Sequence, residues 1–518
     1  MVFIQAQDYR FYYPEDNRPA VSIESLTIEK GSFCLLAGAS GSGKTTLLRQ
    51  LSGNPVYQGK EEGHLSCFAG TAAYVQQNPE NQIVTDRVEY ELVFGLENRG
   101  MPKEQMQRRL AEVVTFFGLE ELMDRDTMSL SGGEKQILNV AAAIAMNPDL
   151  LLLDEPTSQL DPVAARHFFE LLHQINEELG ITIMIAEQRL EDVTALADQI
   201  ILMQKGNVCF QGKPDTIFDK ISDHFLSFFP SYMQLYKRTG RFGEVPLTKK
   251  AARNWFCDDY QAKKSAEPGE RNQKDRERKK ERIQCRGLCF RYERSSPDVL
   301  RECSFSFARG EITCLAGGNG SGKSTLLEHL YGTRHGYRGK IKNLPGRRVF
   351  LPQQPQYLFL GDTVEQCISA DKGPMGALLA GFGLDGLRQR HPADLSGGEK
   401  QKLALCQVLG TEAELYLLDE PTKGMDMDSK HLLGQLLRKL ADEGRTIFFV
   451  SHDMEFAAKY ADTMALMFQG DVPLVADTRD FFVENQFYTT CMNRIAREVS
   501  PYIITLEDVE RYAETKDH

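Results

Sequence analysis

Two stretches of this chain constrain its fold more than anything else in it: GASGSGKTTLL at residues 38–48 and GGNGSGKSTLL at residues 317–327. Each follows an apolar run, SFCLLAG or EITCLAG, that reads as a buried strand, and each opens an apolar helical pattern. A glycine-rich turn between a strand and a helix lets the backbone wrap a phosphate while the helix N-terminus points N–H groups at it. Two further segments recur in the same order: LSGGEKQ from Leu130 and again from Leu395, then LLLDEPT from Leu151 and its counterpart ending in LLDEPT from Leu415. Matched order and near-constant spacing identify a tandem duplication, and with it a pair of α/β domains.

The rest of the chain fits around those copies. At 518 residues it is too long for one core, and 42% hydrophobic with 26% charged residues is an ordinary globular balance. No apolar run is long enough to span a bilayer and MVFIQAQDYR lacks the pattern of a signal peptide, so the chain is expected to stay in the cytosol. The eleven cysteines show no spacing typical of a metal site and read as reduced thiols. A net charge of −12 argues against a generally basic nucleic-acid-binding surface. The expected division is 1–217 for the first domain, 218–284 for a helical extension and charged linker, 285–477 for the second domain and 478–518 for a C-terminal helical extension. Aromatics and leucines between Phe218 and Tyr260 are expected to form helices packed on the first domain, and CMNRIAREV has helical spacing. The stretch 263–284, almost free of apolar residues, reads as a solvated linker, with a nucleic-acid contact as the alternative.

Each copy carries the same chemistry. Gly38, Ser40, Gly41, Gly43, Lys44, Thr45 and Thr46 in the first loop, and Gly317, Asn319, Gly320, Gly322, Lys323, Ser324 and Thr325 in the second, are candidates for holding nucleotide phosphates. Lys44 and Lys323 add a point charge, and the hydroxyls of Thr45 and Ser324 suit Mg²⁺. Asp154 and Asp419 end short apolar strands where a carboxylate can reach the magnesium shell, and Glu155 and Glu420, one residue on, can polarise an attacking water. Ser131 and Ser396 can cap the helices that LSGGEKQ opens, with Gly132, Gly133, Gly397 and Gly398 exposing N–H groups to an anion.

Together the phosphate loop, the LSGGEKQ signature and the LLDEPT strand resemble the nucleotide-binding domains of ABC (ATP-binding cassette) ATPases, in both halves. The resemblance implies tandem phosphate-loop domains, each with a RecA-like α/β core, an antiparallel β subdomain and a helical signature subdomain. It also implies ATP with Mg²⁺ as cofactor, sandwiched between the loop of one copy and the signature of the other. One site then joins Lys44, Thr45, Gln77, Asp154 and Glu155 with Ser396, Gly397 and Gly398; the other joins Lys323, Ser324, Gln353, Asp419 and Glu420 with Ser131, Gly132 and Gly133. Thr45, Gln77, Asp154, Ser324, Gln353 and Asp419 would surround the metal. Tyr13 and Tyr292 match the aromatic that stacks on adenine, or stand as strand aromatics in the core; Asp161 and Asp426 match the loop that follows the DEPT turn. His452 matches the family's switch histidine. Gln188 stands at its position in the first copy, where an amide can hydrogen-bond but cannot carry a proton. The first site is therefore expected to hydrolyse more slowly, the alternative being that Glu155 needs only an amide beside it.

The stretch YVQQNPENQIVTDRVEYELVFGLENRG at 74–100 and the EQRLEDV switch resemble the ATPases of energy-coupling factor importers, which take up vitamins and transition metals. That implies a transmembrane coupling subunit and a substrate-binding membrane subunit as partners, and a peripheral place on the cytoplasmic face of the membrane. The second copy keeps Gln353 but not the second glutamine of this element or the FGLEN helix. A soluble twin-cassette ATPase acting on the ribosome is the alternative.

Overall fold

The computed structural model describes the chain except residues 15–16, 54–58, 159, 189, 219, 241–243, 264–280, 369–373 and 517–518. It divides into two compact units, Met1–Pro230 with Arg241–Leu247, and Ser231–Gly240 with Thr248–His518.

In the first unit, Phe33–Ala37, Leu150–Asp154 and Thr182–Ala186 are buried along their whole length, as strands covered on both faces must be. They form the middle of a nine-stranded sheet. Its parallel part runs Ala72–Val75, Leu150–Asp154, Thr182–Ala186, Phe33–Ala37, Gln199–Gln204; beyond lie Asn207–Gly212 and the antiparallel strands Val21–Glu29, Val2–Tyr12 and Lys60–Cys67. A separate apolar cluster holds the helices Val88–Asn98, Lys103–Phe117 and Gly132–Ala145 together through Val88, Leu92, Leu96, Val113 and Leu138. The expected core, antiparallel subdomain and helical subdomain are all present.

The second unit repeats the plan as two sheets. Arg348–Leu351, Leu415–Asp419, Thr446–Val450, Ile312–Gly317, Thr463–Phe468 and Asp471–Asp477 make the core sheet, and Leu300–Ala308, Arg282–Phe290 and Arg338–Lys342 the antiparallel one. Where the first unit has the helix Val88–Asn98, the second has only Val364–Cys367.

The helices Ser231–Arg238 and Lys249–Asp259 do not pack on the first domain as expected; they join the second unit. They pack on the helix Cys491–Ala496, and Tyr260–Ala262 pairs with Ala513–Thr515 in a two-stranded sheet. Aromatic contacts hold the segment's own elements to one another: Trp255 meets Tyr236 edge-on at 5.1 Å and Phe256 stacks on Tyr260 at 4.5 Å. The charged stretch 264–280, expected to be part of a solvated linker, lies outside the described residues. All eleven cysteines are free, and no helix among the described residues is long and apolar enough to cross a membrane.

Asn493 holds this extension together. Fully buried, its amide donates to the Pro501 and Ile503 carbonyls at 2.8 and 3.2 Å and its oxygen accepts from Thr489 Oγ1 at 2.9 Å. Asn493→Ala strands those groups without water, at a cost of about 3 kcal/mol. Trp255 is the one tryptophan of the sequence. Urea unfolding followed by its fluorescence is therefore expected to shift to lower midpoint in Asn493→Ala, and an unchanged midpoint would contradict this role for the asparagine.

Candidate functional site

Strand register decides which residues meet. Leu36 and Asp154 both pair with Ala186, and Leu315 and Asp419 both pair with Val450, so three strand ends finish level in each unit. The pairing continues past the strands: Glu155 N donates to Ala186 O and Glu187 N to Leu36 O, while Glu420 N donates to Val450 O. In doing so, Glu155 and Glu420 adopt φ of 46° and 49°, a left-handed conformation unusual for residues with a side chain. The same strain recurs at the same place in both copies.

The phosphate loops lie at that edge. Gly43 and Gly322 have φ of 98° and 106°, and a Cβ there would come within 2.7 Å of Ala20 O and 3.0 Å of Val299 O, which reserves both positions for glycine. Lys44 Nζ donates to Gly38 O and Ala39 O at 2.8 and 3.0 Å and lies 3.9 Å from Glu155. Lys323 Nζ donates to Gly317 O and Gly318 O at 3.0 and 2.8 Å. Thr45 Oγ1 donates to Asp154 at 3.1 Å, and Ser324 hydrogen-bonds Asp419. Asp154 also receives Tyr74 Oη at 3.0 Å, a contact that sequence reading missed; Phe350 holds the matching strand position in the second unit. Burial raises the carboxyl pKa of Asp154, of Glu155 and of Asp419, the last to about 6, against the pull of the nearby lysines.

Around the glutamates the copies differ. Glu155 accepts Gln77 Nε2 at 2.8 Å on one oxygen and Gln188 Nε2 at 2.7 Å on the other. In the second unit His452 Nε2 lies 3.5 Å from Glu420 Oε1, and His452 N donates to Glu420 Oε2 at 3.3 Å; Gln353 is exposed. The structure thus brings Gln188 onto its glutamate as directly as His452 onto the other.

The tyrosines stand beside the loops in both copies. Tyr13 Oη and Tyr292 Oη are 2.9 and 3.0 Å from the hydroxyls of Thr46 and Thr325. Tyr292 is 54% exposed, which sets aside the core reading for it, and Arg334 covers its ring at 4.7 Å. Ser40, Gly41, Asn319 and Gly320 form the loop tips, where the glycines have open space beside their Cα atoms.

The signature residues are built apart from these clusters. Ser131 and Ser396 close capping boxes with Glu134 and Glu399 at the start of their helices, which settles the orientation of Gly132, Gly133, Gly397 and Gly398 in the first turn. Asp161 and Asp426 cap the next long helices by accepting backbone N–H groups, and Lys402 Nζ also donates to Asp426 at 2.9 Å.

The element at 78–82 acts as a brace. Gln82 accepts from Gln76 N at 2.9 Å and donates to Tyr74 O at 3.1 Å, and Glu80 pairs with the signature-helix Lys135 at 2.8 Å. Beyond it, Val84, Tyr90 and Phe94 are exposed, the last two on the side of the helix opposite buried Leu92 and Leu96.

ATP and Mg²⁺ fit these residues. Ser42 Oγ and Ser321 Oγ in the loops are buried without a hydrogen-bond partner among the described residues, beside a buried lysine, and each aspartate already holds the hydroxyl that would share a metal with it.

Comparison with known proteins points the same way. A family model described as ABC transporter matches residues 22–158 and 300–423. A protein of Bacillus thuringiensis named as an ABC transporter ATP-binding protein is 40% identical over 539 residues, 96% of this chain and 96% of its own. One of Methanosarcina acetivorans with the same kind of name is 32% identical over 92% of this chain and 86% of its own. A solved archaeal ribosome recycling factor, aABCE1, shares the fold with a TM-score of 0.58 and 20% identity, over 98% of this chain and 96% of that one.

The raised carboxyl of Asp419 has a thermodynamic consequence. With a pKa of 3.8 in the unfolded chain and about 6 in the native one, the native state binds the proton more tightly, so stability falls as pH rises through that window and stays lower above it. In EDTA at pH 8, Asp419→Asn is expected to be more stable by up to about 3 kcal/mol, with little difference near pH 4. Thermal unfolding at the two pH values checks this, and a less stable variant at pH 8 would contradict it.

Proposed function

Since this chain belongs to the ABC transporter family, whose members hydrolyse ATP, we propose that it is the ATP-driven subunit of a membrane importer of the energy-coupling factor type. The observation that carries this reading is the braced loop at 76–87. Gln77 touches Glu155 at one end, Gln82 locks the loop to the strand before it, and the other end leads to a helix that exposes Tyr90 and Phe94. A rigid loop joining a hydrolytic glutamate to an exposed apolar face suits a subunit that passes movement to a partner. The sequence between Tyr74 and Gly100 resembles the form of that importer type. Transmembrane and substrate-binding subunits would then be separate chains, which choose the vitamin or metal ion carried, and this chain would sit peripherally on the cytoplasmic face.

When bound, Mg·ATP supplies the γ-phosphoryl group that water attacks. Lys44 and Lys323 neutralise phosphate charge; Thr45 with Asp154 and Gln77, and Ser324 with Asp419 and Gln353, hold the metal. Glu155 and Glu420 orient the water and take its proton, a task suited, at Glu155, to a carboxyl raised by burial. His452 can hold a proton beside Glu420, whereas Gln188 only orients Glu155. Tyr13 and Tyr292 would meet adenine, as the family resemblance implies. Ser131, Gly132, Gly133 and Asp161, with Ser396, Gly397, Gly398 and Asp426, would complete the sites as the family resemblance implies.

Fractionation of cells producing the tagged chain tests the reading. It is expected in the membrane fraction, and Tyr90→Asp with Phe94→Asp is expected to release at least three-quarters of it while ATP binding persists. Co-sedimentation with ribosomes, or a double variant still on the membrane, would contradict the proposal.

A further inference from the structure

Glu187 has no counterpart in the second copy, where Ser451 precedes the switch histidine. It is 3% exposed, and a buried carboxylate is costly unless its oxygens are occupied. They are. Oε1 accepts Thr157 N at 3.0 Å and Thr157 Oγ1 at 2.7 Å; Oε2 accepts Gln188 N at 3.2 Å. One side chain therefore ties the turn that follows Glu155 to the backbone of the residue that contacts Glu155.

The second copy shows what this changes. There the switch N–H, that of His452, goes to the hydrolytic Glu420 itself at 3.3 Å. Ser451 Oγ is too short to intercept it and accepts from Asp453 N at 3.0 Å, standing 3.4 Å from Thr422 Oγ1. The second copy also anchors its switch from outside, through Lys430 to Asp453 at 2.7 Å, where the first has the longer Arg166–Asp192 pair at 3.6 Å. Ala165 stands at the position of Lys430 in the first copy. By taking the switch N–H, Glu187 leaves both oxygens of Glu155 to side-chain amides, Gln77 on one and Gln188 on the other.

We propose that Glu187 is a positioning residue of the first copy's site: it diverts the switch backbone away from Glu155 and fixes the carboxylate between two amides, in the copy that lacks the histidine. Burial lifts the Glu187 carboxyl to about 7, so the side chain keeps its place at an electrostatic cost that the second copy's serine does not incur.

Glu187→Gln is nearly isosteric, yet turns an N–H₂ toward the Gln188 N–H, donor against donor. Hydrogen–deuterium exchange of the full chain without nucleotide is expected to speed at least tenfold in peptides 150–158 and 182–188, with peptide 446–452 unchanged as the internal control. The second arm rests on the reading of Glu155 as the hydrolytic residue. In a Glu420→Gln background, Glu187→Gln is expected to lower the remaining kcat at least fivefold while KM for ATP stays within twofold. Unchanged exchange overturns the proposal. So does faster exchange with unchanged kcat, which would leave Glu187 a packing residue only. If the Glu420→Gln chain has no turnover to lose, it is hydrolysis at the first copy that fails, and the exchange arm alone decides whether Glu187 clamps the switch.

Discussion

Leu36, Ala186 and Asp154 lie level across three hydrogen-bonded parallel strands, as do Leu315, Val450 and Asp419. Everything chemical in each unit hangs on that register. A slip of one residue in the middle strand would turn its side chains to the opposite face and carry the switch residue away from the glutamate. Because the strands are apolar and covered on both faces, slippage is resisted by burial, and the polar groups are confined to the few residues just beyond the strand ends. The left-handed backbone of Glu155 and Glu420 belongs to the same constraint: the N–H must still reach the neighbouring strand while the chain turns away.

On this shared frame the two copies satisfy their polar groups differently. The first uses neutral amides around Glu155, the buried Glu187 beneath them, and the Glu80–Lys135 pair between its glutamine loop and its signature helix. The second uses further ion pairs: Lys402 with Asp426 joins signature helix to the turn after the strand, and Lys430 with Asp453 joins the next helix to the switch. The first copy has Ile137 and Ala165 at those lysine positions. Buried charge pairs add little net stability but strongly penalise arrangements that separate them, so each copy holds a different subset of its moving parts together.

Most of the fold and the heart of each site were legible because they rest on local rules. A glycine-rich turn after an apolar strand, a serine three residues before a glutamate, and an aspartate ending a leucine run each have one good conformational reading, and Lys44, Ser131 and Asp154 sit where those rules put them. What sequence reading missed depends on partners far along the chain. The helices Ser231–Arg238 and Lys249–Asp259 join the second unit, where strand Tyr260–Ala262 finds its mate at Ala513–Thr515, a pairing with no local signal. Nothing local in the sequence sets Tyr74 apart from an ordinary strand residue or Glu187 from an ordinary acid. A signal for Glu187 is available all the same, since a carboxylate directly after the apolar run IMIA, where the other copy has a serine, has to be buried against something.

The central claim is that the two glutamates stand in chemically unequal sites, one beside a group that can hold a proton and one beside a group that cannot. The direct measurement is steady-state ATP turnover of the full chain, comparing the parent with Glu155→Gln and Glu420→Gln. The account predicts that Glu420→Gln removes most of the turnover, leaving a slow remainder, while Glu155→Gln keeps most of it. Equal losses in the two variants would mean that an amide at Gln188 serves as well as the imidazole of His452, and would contradict it.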